Sequence, residues 1–376
     1  MDSLRMVDLK GQYLSIKNEI DEAVAKVLDE TAFINGPETR SFAEHLAQYA
    51  GCKHVVTCGN CTDALRISLE ALRLNDGDEV IIPAFTYAAS AEAIAMLRLV
   101  PVMVDVDPAT FNLNLEHIQA GFSSKTRAII PVHLFGQCCD MDEILSFARE
   151  HNLHVIEDNA QSLGCEYTSK DGSVRKSGTL GEIGCNSFFP TKNLGCFGDG
   201  GSMMTNDDVL AERLHQIANH GQQQKYRHEI IGCNSRLDTI QAAVLEVKLR
   251  HLDAFIQARR EAAQRYDSLL SDVEEIITPK EMLWNRHSYN QYTLQVKEGK
   301  RDALKAYLAE QGVPTMIYYP LPLNQQHAYA GVSRVAEPLG NTEELCASVL
   351  SIPMHTELTP EQQLRISDRI HDFFRR

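Results

Sequence analysis

Along the chain, apolar positions from Gln12 to about Glu30 recur at helical spacing, and "INGPET" (Ile34 to Thr39) reads as a turn into a second helix through Tyr49. From Cys52 onward short apolar runs alternate with amphipathic stretches. "HVVTC", "DEVIIP", "VPVMVDV", "AIIPVH" and "HVIED" are predicted strands, while "TDALRISLEAL", "SAEAIAML" and "EILSFAREH" are predicted helices. Strands and helices in alternation imply an α/β fold with a mostly parallel sheet covered by helices on both faces. A long helix is predicted from about Asp238 to Leu270. Beyond "TPKEMLWNRHSYNQYTLQV" come the helix "DALKAYLAEQG", a strand-like "PTMIYY" and a helical tail, which together describe a smaller αβ unit. The expected division is a large domain over residues 1–250 and a small C-terminal domain over 251–376, a length that leaves each part its own core.

Composition narrows the function classes. The chain is 44% hydrophobic and 23% charged, as in ordinary globular proteins, and has no apolar run long enough to cross a bilayer. The first residues, "MDSLRMVDLKGQYLSIKNEI", carry acids and no apolar core, so a cytoplasmic protein is expected, away from membranes. The net charge of −15 argues against a nucleic-acid partner and leaves room for a small anionic ligand. Ten cysteines are too dilute for a disulfide scaffold. Cys58 and Cys61 form a CxxC, but no second pair at zinc-like spacing accompanies it, and no metal is expected.

In open α/β sheets ligands sit beyond the carboxyl ends of the strands, so the residues following each strand deserve inspection. Asp158 and Gln161 follow "LHVIE", and Asp158 reads equally as a helix N-cap. "GNCTDAL" follows "HVVTC" at a helix start, where backbone N–H groups and the Thr62 hydroxyl make a phosphate cradle or a plain cap. Tyr87 follows a third strand, placed to stack on a flat ligand or to pack. "NSFFPTKNLGCFGDGG" then sets one lysine, Lys192, before a glycine cluster. Alone this is a loop lysine. Beside a phosphate cradle, an aromatic platform and an acid at a strand end, it completes the parts needed to hold pyridoxal 5'-phosphate, with Lys192 forming the Schiff base and the acid keeping the pyridine nitrogen protonated.

The ordered segments "FINGPET", "GDEVIIPAFTYAASAEAI", "PVMVDVDPATFNL", "RAIIPVHLFGQCCDMD", "VIEDNAQSLG", "NSFFPTKNLGCFGDGG", "NHGQQQKY" and "GCNSRLDTIQAAVLEVKL" resemble the fold type I pyridoxal-phosphate enzymes, and within them the nucleotide-sugar aminotransferases of the DegT/DnrJ/StrS type. The resemblance implies a three-layer large domain and a smaller C-terminal αβ domain. It implies that Lys192 bonds the cofactor, Asp158 faces the pyridine nitrogen, Gln161 lies near the phenolic oxygen and Tyr87 stacks on the ring. The phosphate falls to Cys61, Thr62, Ser187 and neighbouring backbone, and to Asn234 reaching in from a second copy, since the family works as a homodimer with composite sites. Family members commonly have Gly-Thr where Cys61-Thr62 stands here, and relatives that dehydrate sugars carry histidine at the position of Lys192, so lysine favours amino transfer.

By the same resemblance the amino donor is L-glutamate, and the acceptor is a nucleotide-linked keto-sugar. The stretches around "NHGQQQKY" and "IYYPLPLNQQHAY" look most like enzymes that aminate carbon 3 of UDP-2-acetamido-2-deoxy-3-oxo-glucuronate for surface polysaccharide. Arg236 is the candidate for the substrate's anionic part, a guanidinium suiting carboxylate or diphosphate. Tyr318, His327, His287 and His355 are candidate sugar contacts, with structural or surface roles as the alternative for each. An aminotransferase acting at carbon 3 or 4 of another nucleotide keto-sugar, an aldolase or desulfurase on the same cofactor, and a non-catalytic sugar or cofactor sensor of the same fold are the competing readings. "GCFGDGG" lacks the GxGxxG spacing of a dinucleotide site.

Overall fold

The computed structural model describes residues 4–375. Its centre is an eight-stranded sheet of β1 (His54–Cys58), β2 (Glu79–Pro83), β3 (Val100–Val104), β4 (Thr126–Ile129), β5 (His154–Asp158), β6 (Ile183–Ser187), β7 (Gly201–Thr205) and β8 (Arg334–Val335). Their spatial order is β1-β7-β6-β5-β4-β2-β3-β8. Within β2, every residue from Glu79 to Pro83 is buried, which is why "EVIIP" reads as a continuous apolar run: helices cover both faces of a parallel sheet. β7 departs from the parallel pattern, pairing antiparallel with both β1 and β6.

On one face the helices Cys61–Ala71, Ala89–Met96 and Asp208–Ala218 close a core with Val80, Ile82, Met103 and Ile156. On the other, Ile81, Val102, Ile129 and Val155 pack with residues of the Leu115–Gly121 and Met141–His151 helices. The helices Pro37–Ala50 and Thr239–Leu269 cover the same layer near the chain's lysine loop, through Phe42, Leu46, Phe188, Leu194 and Leu245.

The Thr239–Leu269 helix runs through residue 250 without interruption. Along it the packing partners change: Ile256 belongs to the core beneath the lysine loop, and Ala262, Ala263 and Tyr266 belong to a second core. That second core is built on an antiparallel sheet of Ile276–Ile277, Tyr292–Val296 and Val349–Ile352, covered by the helices Arg301–Glu310 and Pro360–Phe374. β8, also late in the chain, joins the large sheet at β3 instead. The strand expected for "PTMIYY" does not form. Met316 makes a single bridge to Ser351, and Tyr318 and Tyr319 turn away from the small sheet to line a pocket of the large one. Among the described residues, no helix is long and apolar enough to cross a membrane.

Candidate functional site

The carboxyl ends of β1, β2, β5 and β6 open onto one cavity of about 440 Å³, within the range of roughly 300–1,000 Å³ usual for small-molecule sites. It is lined by Cys61, Thr62, Tyr87, Asp158, Gln161, Ser187, Lys192 and Tyr318, eight of the residues singled out in the sequence. Long-range folding thus collects side chains from four strand ends.

Each wall has a local cause. The Cys61–Ala71 helix begins at Asn60, whose side chain accepts from Asp63 N at 2.8 Å. That cap leaves the N–H groups of Cys61 and Thr62, two residues that line the cavity, without a partner among the described residues at the positive end of the helix dipole. β7 runs directly behind this turn: a Cβ at Gly201 would stand 2.6 Å from the Asn60 carbonyl carbon and 2.9 Å from Cys61 N, so only glycine lets strand and turn approach so closely. Gly59 is held from the far side, its N–H donating to Ser235 Oγ at 3.0 Å.

Asp158 is buried at the end of β5, where Ser90 Oγ donates to its Oδ2 at 2.8 Å and Ala160 N to its Oδ1 at 3.2 Å. Burial raises its pKa above the ordinary carboxylate value, against the pull of those bonds and of Lys192. A cationic N–H donor arriving in the cavity would relieve that burden. Lys192 sits on a tight loop between β6 and β7, closed by Lys192 N to Phe189 O at 2.9 Å and Cys196 N to Phe188 O at 2.8 Å. Its ammonium makes no hydrogen bond or ion pair among the described residues. Burial lowers its pKa below 10.5, which favours the neutral amine.

Gln161 is tied at both ends: its Oε1 accepts from Phe135 N at 2.7 Å, and its Nε2 donates to the Tyr319 hydroxyl at 3.1 Å. Tyr87 is 61% exposed, its ring centroid 6.0 Å from that of Tyr319, so its face is open to a flat ligand at the cavity mouth. An unpaired lysine, a buried acid aimed at the same space, free N–H groups at a helix start and an open aromatic face fit pyridoxal phosphate in its donor set and in its charge.

Other expected residues lie elsewhere. Asn234 is exposed and bridges Asn219, and Arg236 is half-buried beside the Gly59 turn, both outside this chain's cavity. His327 is exposed as well, because Leu323 N bonds Ala84 O at 3.0 Å and the Tyr329 hydroxyl bonds Ala88 O at 3.0 Å, which turns its short 3-10 helix outward. His287 is buried against Tyr289, ring centroids 3.9 Å apart, and accepts from Tyr289 N, its pKa pushed down to about 3 by burial. His355 is buried too, at about 4. Neither lines the cavity. Both thiols of the CxxC are buried and free, and burial pushes each well above its usual value; among the described residues no cluster of three or more His, Cys, Asp or Glu is set to hold a metal.

Sequence reasoning missed Ser90, Tyr319 and Gln291. Ser90 lies inside "IIPAFTYAAS", in the first turn of the Ala89–Met96 helix that follows Tyr87. Tyr319 and Gln291 come from the small unit and carried no comparable local signal.

The model of the DegT/DnrJ/EryC1/StrS aminotransferase family matches residues 14–371. A Geobacillus stearothermophilus protein named pleiotropic regulatory protein is 44% identical over 98% of both chains. The UDP-2-acetamido-2-deoxy-3-oxo-D-glucuronate aminotransferase of Pseudomonas aeruginosa is 44% identical over 94% of this chain and 96% of its own. A dTDP-3-amino-3,4,6-trideoxy-alpha-D-glucose transaminase of Streptomyces venezuelae is 37% identical over 98% and 96%. Among solved structures, an aminotransferase of this family from Brucella abortus superposes with a TM-score of 0.94 at 39% identity, covering 98% of this chain and 99% of its own. The Bacillus subtilis protein NtdA with bound cofactor PMP superposes with a TM-score of 0.88 at 30% identity, covering 96% and 82%.

Proposed function

We propose that this chain, which belongs to the DegT/DnrJ/EryC1/StrS aminotransferase family, transfers the amino group of L-glutamate to carbon 3 of UDP-2-acetamido-2-deoxy-3-oxo-glucuronate. It is a pyridoxal-phosphate-dependent sugar aminotransferase, and the finer assignment of substrate rests on the 44% identity that spans nearly all of the Pseudomonas enzyme. The reading includes a cytoplasmic homodimer in which Asn234 and Arg236 serve the neighbouring copy's cavity, Asn234 at the phosphate and Arg236 at the anionic part of the substrate.

When bound, the cofactor supplies an electrophilic carbonyl carbon and a ring that accepts an electron pair. In this chain Cys61 N–H, Thr62 N–H and the Thr62 and Ser187 hydroxyls would take its phosphate, Asp158 its ring nitrogen, Tyr87 its face, and Lys192 Nζ its carbonyl carbon. Lys192 Nζ then has a second task. With the amino donor bound, Lys192 Nζ would accept the proton that leaves the donor's α-carbon and pass it to the cofactor, and in the second half of the cycle it would carry a proton back from the cofactor to the sugar carbon that receives the amine. The burial that lowers its pKa favours the neutral amine, the form that acts as a base. Ser90 and Ala160 N hold Asp158 so that its charge is aimed at one place throughout.

The test is a single-turnover experiment. The holoenzyme is converted with L-glutamate, the keto-sugar is added, and the cofactor spectrum and sugar mass are followed, with Lys192→Ala as control. Return of the starting spectrum together with an aminated sugar supports the full reading. Conversion by glutamate without return moves the substrate to another nucleotide keto-sugar, such as the dTDP-linked class named for the Streptomyces relative. The second reading, a sensor, is favoured by the name of the Geobacillus relative; it requires that glutamate cause no spectral change.

A further inference from the structure

One side-chain amide in the cavity wall, that of Gln291, has no partner among the described residues. Gln291 lies just before the Tyr292–Val296 strand and lines the cavity, yet its Oε1 is buried without any hydrogen-bond partner, and its carboxamide makes no hydrogen bond among the described residues. The backbone around it is firmly held. Asn290 N donates to Phe135 O at 2.9 Å, Arg259 Nη1 donates to the carbonyls of Tyr289 and Asn290 at 3.2 Å each, and Asn290 Nδ2 reaches Thr191 O at 3.3 Å and Asn193 Oδ1 at 3.2 Å. The small unit therefore grips the loop on both sides of Lys192 and presents Gln291 to the cavity from a fixed backbone.

We propose that Gln291 is a sugar-binding residue, whose Oε1 accepts a hydrogen bond from a hydroxyl or acetamido N–H of the acceptor sugar. Buried acceptors are nearly always satisfied, and one left bare is costly until a donor arrives. Among the described residues no donor is in reach, so the bound molecule brings it. Glutamate offers carboxylates, which are acceptors, and an amine that is consumed at the cofactor. A sugar carries hydroxyl and amide donors. The inference rests on the nucleotide-sugar reading and names a contact for its second half-reaction.

Because the contact is with the sugar and not with the nucleotide, two ligands separate it. Calorimetry on the pyridoxal-phosphate-loaded protein would compare UDP-N-acetylglucosamine, which has the hydroxyls and the acetamido group, with UDP. Gln291→Leu is expected to weaken UDP-N-acetylglucosamine about tenfold, leave UDP within about twofold, and leave the glutamate half-reaction within about twofold. Gln291→Glu, which keeps an acceptor, should recover part of the loss. Equal affinity of wild type and Gln291→Leu for UDP-N-acetylglucosamine would overturn the inference. So would equal slowing of both half-reactions, which would make Gln291 a support for the lysine loop. If wild type binds neither ligand, the UDP-sugar reading itself fails and takes this contact with it.

Discussion

Two lysines meet at the same loop, Lys192 within it and Lys248 behind it, and the difference between their surroundings separates chemistry from architecture. On the front, Lys192 faces the cavity with no partner. On the back, Lys248 of the Thr239–Leu269 helix is 2% exposed, donates from Nζ to Gly195 O at 2.7 Å and lies 4.9 Å from the Phe197 ring centroid. Burial lowers the pKa of both, Lys248 to about 8. A depressed pKa therefore does not by itself mark a reactive amine. What sets Lys192 apart is an unsatisfied ammonium, open space in front of it and a buried carboxyl lining the same space. Lys248 spends its donor on a carbonyl that would otherwise go unpaired, at a loop position where no side chain fits because a Cβ on Gly195 would run into the Pro190 carbonyl.

The comparison breaks most plainly at Lys192. Lys192→Ala is expected to lose at least about 1,000-fold in single-turnover rate, since the same nitrogen bonds the cofactor and moves the proton. A loss of less than about tenfold would return Lys192 to the status of a loop lysine. In the cofactor-free protein the rate at which Lys192 captures added pyridoxal phosphate should rise with pH as the amine loses its proton and level off below 10.5, the ordinary lysine value, because burial lowers this pKa. Next in size is Asp158→Asn, which keeps the shape and an acceptor for Ser90 but removes the charge. Turnover should fall about 100-fold or more with a shifted absorbance of the bound cofactor, whereas a purely capping Asp158 would alter stability and leave the spectrum unchanged.

How much of this was legible in the chain depends on where the constraint resides. β2 and β3 were readable because a strand buried on both faces must be apolar along nearly all its length, and the Thr239–Leu269 helix because its apolar positions keep helical spacing for many turns. The antiparallel β7 was not, since "GSMMT" owes its place to the close approach of Gly201 to the Asn60 turn, a contact between distant segments. "PTMIYY" looked like a strand by its β-branched and aromatic content, but its Tyr319 is held by Gln161 and by packing on Phe85 rather than by a ladder. The cavity residues at strand ends could be found because topology puts ligands there. Gln291 and Tyr319 could not, because only the folding of the small unit onto the loop brings them to it.

The smallest effect tests the back of the loop. Lys248→Met removes the bond to Gly195 O while filling most of the same volume, and should cost about 1–3 kcal/mol of stability, with single-turnover rate reduced less than about tenfold. The pH dependence identifies the cause. In the folded state Lys248 has a pKa of about 8, and in the unfolded chain the ordinary 10.5. Between those values the unfolded state binds more protons, so wild-type stability gains from this group as pH rises from about 8 toward 10.5, and the penalty of burying the ammonium is fully present below about 8. Lys248→Met lacks that gain, so the stability difference between wild type and variant should widen in favour of wild type across this window in denaturant titrations. A difference that stays constant with pH would mean that Lys248 titrates like an exposed lysine. Lys192 would then be the only one of the two whose burial perturbs its charge, and a depressed lysine pKa would regain its value as a marker of the reactive site.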